Sequence, residues 1–174
     1  MTDDRGPARP FAAPREAEIR RPPHESAAVR ATLNPVLIAC VVAWSAKAYR
    51  GIRHEGLPWP LAYVVASVVL HPPTRATLPS STARRLLLWR RDNEMMLVDS
   101  PRRAIVLRPF VDAGIRVGMR TALLSLDGGH LLGSIRQPAR DSELYEIAKS
   151  SAFLGRWFAP LPTSSVLAQF GMRP

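Results

Sequence analysis

At 174 residues the chain has material for one ordinary domain with an appendage and not for two substantial cores. Apolar residues make up 47% and charged residues 22%, which excludes disorder of the whole chain, while 17 prolines must interrupt it often. The formal charge is +10 and the only lysines are Lys47 and Lys149, so the excess is carried by arginine, whose planar donor fork suits phosphate or carboxylate. Nucleic acid, anionic lipid and an acidic protein are the partners such a balance suits, and a merely solvated surface is the alternative.

Residues 1–30 hold five prolines and mixed charges with no sustained period, and read as a disordered or extended proline-rich arm. No apolar signal core follows Met1 to Arg9, so a cytoplasmic protein is expected. The ordered domain, residues 31–174, opens at Asn34-Pro35, a capping side chain followed by a residue that needs no helical donor. The helix runs through Val36, Ile38, Val41 and Trp44 to about Tyr49, with Gly51 as its stop. It is apolar round most of its circumference and needs cover on several sides. Cys40 lies inside it, and as the one cysteine it excludes an internal disulfide and a cysteine-cluster metal site.

Pro58 and Pro60 flank Trp59 and introduce Leu61 to Leu70. That run suits a buried helix or a buried strand; helix is preferred because residues 61, 64, 65, 68 and 69 share a face. This run and Val36 to Ala43 are both short of the roughly 20 residues that a membrane span requires, so no membrane partner is expected. His71-Pro72-Pro73 should end regular structure. Ser80-Ser81 then offers a cap for a helix over Thr82 to Arg91.

Asp99-Ser100-Pro101 marks a further helix start. Leu107, Val111, Ile115, Met119 and Ala122 form its predicted apolar stripe, Asp112 can meet Arg108 or Arg116, and Pro109 predicts a kink or a restart. Two short apolar segments around Asp127-Gly128-Gly129-His130 predict a hairpin near 123–133. A last long helix, capped by Asp141 or Ser142, buries Leu144, Ile147, Ala148, Ser151, Leu154 and Phe158. A short one from Pro162-Thr163 closes at Gly171. The fold class is mainly α with a small β-hairpin, and the hairpin's place after a helix suggests a winged-helix-like form.

Chemistry is sparse. His24, His54, His71 and His130 lack the spacing of helical zinc ligands, although His71 and His130 could still meet Asp99 or Asp127 in space. Asp141, Glu143 and Glu146 beside Lys149 invite a metal-nuclease reading, but acids at a helix start favour the helix dipole without any function. No phosphate-binding loop or dinucleotide fingerprint occurs, so no catalytic residue, metal or cofactor is expected. Arginine pairs are the more suggestive feature. Between residues 84 and 120 there are nine arginines and four acids, and if Arg84, Arg85, Arg90, Arg91, Arg102, Arg103, Arg116 and Arg120 converge they form a patch for phosphate or for an acidic partner. The four tryptophans read as core or seam residues, with Trp89, set among arginines, the best candidate for an interface anchor.

A family resemblance adds to this. Asn34-Pro35, Lys47-Ala48-Tyr49, Gly56-Leu57-Pro58, Leu70-His71-Pro72-Pro73-Thr74-Arg75, Leu78-Pro79 with Ser81, and Leu154-Gly155-Arg156-Trp157-Phe158 stand in this order in the chain. The order resembles that of the middle-component proteins of bacterial three-component ABC-type ATPase systems, over roughly residues 32 to 174. The resemblance implies a non-enzymatic adaptor between a structural-maintenance-like or recombination-type ABC ATPase and an effector, in a conflict or antiphage module. By looser analogy with the helical and winged-helix accessory subunits of chromosome-maintenance ATPases it implies a dimeric connector, while direct DNA binding through the arginine pairs is the alternative, with DNA contact direct or through partners. Arg75 and Arg156 are the polar residues it favours for an interface, with Trp157 as a second anchor.

Overall fold

The computed structural model describes residues 33–172, so the proline-rich arm lies outside the described residues. Helix α1 spans Pro35–Arg53, and Asn34 caps it by accepting a bond from the Val36 amide at 2.9 Å. It continues through Gly51, because an exposed helical glycine costs only about 1 kcal/mol, and stops at His54, which takes the left-handed conformation at φ 63. Replacing His54 by glycine should therefore raise stability by roughly 0.5–1 kcal/mol, read as a higher urea midpoint at unchanged slope.

Nearly every side of α1 is covered. Ile38, Ala39 and Val41 to Ala46 are buried, and the cover comes from a later long helix, the hairpin and the last long helix. By length and composition α1 is apolar enough to cross a membrane, with a mean hydropathy of 1.2, and half of that window is buried inside the domain.

Strand β1, Leu57–Pro58, leads into α2, Leu61–Val69, a helix buried on almost all sides. Regular structure then resumes where the prolines were expected to end it. Helix α3, Pro72–Ala76, places both prolines in its first turn, where no amide donor is needed, and His71 Nδ1 accepts from the Thr74 amide at 3.3 Å. The next helix starts later than the sequence suggests. Helix α4 is Leu86–Asp92, because the Trp157 indole N–H holds the Arg84 carbonyl at 2.7 Å and Arg85 stays extended; Ser81 caps only a turn at Ala83. One turn, α5 (Glu94–Leu97), had no sequence signal.

Helix α6, Ser100–Arg120, is continuous across Pro109. Its buried positions are Ser100, Ala104, Val111, Gly114 and Gly118, so the inward face is turned from the predicted stripe, and Met119 is 38% exposed. The cause is close approach: a Cβ on Gly114 would lie 2.6 Å from Ile38 Cγ2 on α1.

Strands β2 (Leu124–Asp127) and β3 (His130–Gly133) form the predicted hairpin, turned by Gly128 and Gly129 at positive φ. β1 pairs with β3, giving an antiparallel three-stranded sheet in the order β1-β3-β2. Helix α7, Tyr145–Phe158, buries Ala148, Ser151, Leu154 and Phe158 as expected, together with Phe153, Gly155 and Trp157, while Leu144 is exposed. Helix α8, Thr163–Gln169, ends before Gly171 at φ 67. The fold is thus mostly helical with a small open sheet, and its core is one cluster centred on α1 and α2.

Candidate interaction surface

The arginines do not converge on one patch. Four bond to groups that the fold brings near, Arg84 among them at the surface. Arg75 donates to the Val69 carbonyl at 2.6 Å and closes the end of α2, and Arg90 Nε donates to the Gln169 carbonyl at 2.7 Å, tying α4 to α8. Arg84 pairs with Asp92. Arg103 reaches Thr74, the Met96 carbonyl and Ser100 at 3.1–3.3 Å, with its Nε buried and without a partner among the described residues. Burial lowers the pKa of that guanidinium against an opposing pull from Asp99. It lowers that of His71 too, with Arg103 adding to the shift.

The other six, Arg85, Arg91, Arg102, Arg116, Arg120 and Arg156, are exposed. Arg85 precedes α4, Arg91 lies in its last turn 3.5 Å from the Asp92 carboxylate, and Arg156 lies beside Trp157, whose indole holds the Arg84 carbonyl. Arg102, Arg116 and Arg120 recur at helical spacing on the outward face of α6, along about 27 Å.

Trp89 and Trp157 are 1% and 3% exposed, meet edge to face at 5.5 Å, and pack with Phe153, Phe158 and Phe170. They are core residues here and not surface anchors, because their indole N–H groups bond to the Thr77 and Arg84 carbonyls from inside. The tryptophan that does face outward is Trp59, 47% exposed. Its flanking prolines set it apart in the sequence, and in the fold its amide donates to the Gly129 carbonyl and its ring meets Tyr63 edge to face.

Asp112 bonds neither Arg108 nor Arg116. It accepts from the Tyr63 hydroxyl at 2.6 Å. Burial, reinforced by this bond, pushes the phenol pKa up to about 12 although Arg108 pulls it down. A group raised above its unfolded value near 10 stabilises the fold fully below pH ~10, and that stability is lost as pH rises through ~12. Tyr63→Phe should cost about 1 kcal/mol at neutral pH and flatten the loss of stability above pH ~10, measured by urea unfolding at stepped pH.

Among the described residues no three His, Cys, Asp or Glu groups gather as metal ligands, and Glu146 pairs with Lys149 at 3.6 Å. Burial raises the Cys40 thiol pKa.

Fold and surface together define a small, mainly helical protein with a subsidiary sheet and a divided cationic face. A family model described as ABC-three component (ABC-3C) system Middle Component 3 matches residues 24–174, and the chain belongs to that family. It is the middle component of a bacterial three-component defence system and a non-catalytic adaptor. Among curated proteins and solved structures, none matches the chain.

Proposed function

We propose that this middle component links a structural-maintenance-like or recombination-type ABC ATPase to an effector in the cytoplasm, relaying the ATPase's engagement of its target. The observation that carries the reading is the extent of the family match, which takes in every described residue, joined to the way the residues behind the resemblance are used. Gly155 and Trp157 pack in the core, Arg75 closes the end of α2, and the exposed Pro72 and Pro73 start α3, while Arg156 stays exposed between Gly155 and Trp157. Coexpression with both neighbouring components, followed by native mass measurement, tests it. A complex holding all three is the expected result, and its mass also reports whether the chain is present as a dimer. A chain that binds neither component overturns the proposal.

A second reading, direct DNA binding, draws support from topology. With the short helices α3 to α5 and the two C-terminal helices set aside, the order helix, strand, helix, helix, strand, strand and the strand arrangement β1-β3-β2 would suit a winged-helix reading. In that scheme α6 would be the reading helix and Arg102, Arg116 and Arg120 its phosphate contacts. Duplex binding at low salt that Arg116→Glu/Arg120→Glu abolishes would support it. Affinity that is negligible at low salt would remove it.

A further inference from the structure

Beside the outward face of α6 runs an apolar trough in two parts, with the Trp59 ring between them. One part, about 400 Å³, lies among Pro60, Tyr63, Ala104, Ile105 and Leu167. The other, about 280 Å³, lies among Ile115, Met119, Leu126 and Leu131. Trp59 lines both, held by its amide bond to the Gly129 carbonyl at 3.2 Å and by its edge-to-face contact with Tyr63. Ile105 and Met119, which line the two parts, stand about 21 Å apart along α6, roughly four helical turns. Ile105 is 73% and Leu126 55% exposed, so large apolar surface stands open to water along its rim.

On the α6 side of the trough the charge is almost wholly positive, while Asp127 lies beside Leu126 on the hairpin side. Helix α6 carries five arginines and a single acid, Asp112, which the Tyr63 hydroxyl already engages. Arg102, Arg108, Arg116 and Arg120 are exposed and form no ion pair among the described residues.

We propose that this trough docks an amphipathic helix of a partner protein, with apolar side chains seated on either side of Trp59 and carboxylates along the flank facing the α6 arginines. The inference rests on the adaptor reading and specifies its docking chemistry. Helix-in-groove recognition needs apolar anchors at successive turns, which the two depressions supply, and arginine rims supply register and steering. Duplex DNA matches the arginines but leaves Trp59, Ile105 and Leu126 facing phosphate and water. A second copy docked by two-fold symmetry would bring arginine-bearing α6 against its own like.

The test uses the full chain coexpressed with the system's own ATPase and effector. Trp59→Ala and Ile105→Asp are each expected to weaken one of the two components by roughly tenfold or more, with the helical circular dichroism unchanged. Arg116→Glu/Arg120→Glu should weaken the same component and reduce the salt dependence of its binding, whereas Lys149→Glu on α7 should change nothing. Wild-type assembly with undiminished binding by Ile105→Asp and Trp59→Ala overturns the trough and leaves the adaptor standing. So does loss of only duplex DNA binding, or of only a doubled mass. A wild-type chain that binds neither component removes the adaptor reading and this one with it.

Discussion

Gly155→Ala is expected to destabilise the domain by about 3 kcal/mol, although alanine is intrinsically the better helix residue by about 1 kcal/mol. A Cβ at this position would lie 2.1 Å from the Ser45 carbonyl oxygen and 3.1 Å from the Tyr49 amide nitrogen. Both are backbone atoms of α1 and neither can rotate away, so α7 must retreat from the helix against which it packs most extensively. Gly51→Ala on α1 is the matched control. Nothing lies within 4 Å of the added methyl, so only the propensity gain remains and stability should rise by roughly 0.5–1 kcal/mol. Urea unfolding of the pair gives opposite signs if the contact governs, and the same positive sign if helix propensity does.

Trp89→Ala should cost about 3–5 kcal/mol, a large part of the total stability of a domain this size. The indole is almost wholly buried, packs against Trp157 and Phe170, and gives its N–H to the Thr77 carbonyl. Trp89→Phe separates these contributions. It retains much of the apolar area but leaves the Thr77 carbonyl without its donor, so a smaller loss of about 1–3 kcal/mol is expected. Thermal unfolding followed by near-ultraviolet circular dichroism reads both variants. Comparable losses from the two would mean that the hydrogen bond, and not the packing, dominates.

Both predictions bear on what the sequence made legible. Helices with an apolar period, α1, α6 and α7, were readable in existence and approximate extent, as was the glycine-turned hairpin, but of their expected caps only Asn34 bonds a first turn: Asp99 makes no cap bond, and Leu144, not Asp141 or Ser142, stands at the cap of α7. The inward face of α6 was not, because Gly114 and Gly118 meet α1 and the hairpin by backbone approach, and a hydrophobicity pattern counts glycine as nothing. β1 escaped notice because two residues containing a proline make no strand signal; only its pairing with Leu131 and His130 creates it. Helix α4 began late for a reason residing 73 residues away, at the Trp157 indole. For the surface, the arginines were visible but their allegiance was not. Arg75, Arg90 and Arg103 bond to carbonyls that only the folded chain brings near. Trp59 and Trp89 exchanged their expected places for a similar reason: the hairpin turn and Tyr63 hold one at the surface, and distant aromatics gather the other in.

The burial of α1 also governs how the protein must be made. Its cover comes mainly from α6 and α7, some 60 to 110 residues further along the chain. During synthesis at about 5–20 residues per second, a strongly apolar helix therefore waits for several seconds without its packing partners. Such a nascent segment is a substrate for chaperones. It is also open to capture by membrane-targeting factors that read hydrophobicity before a fold exists.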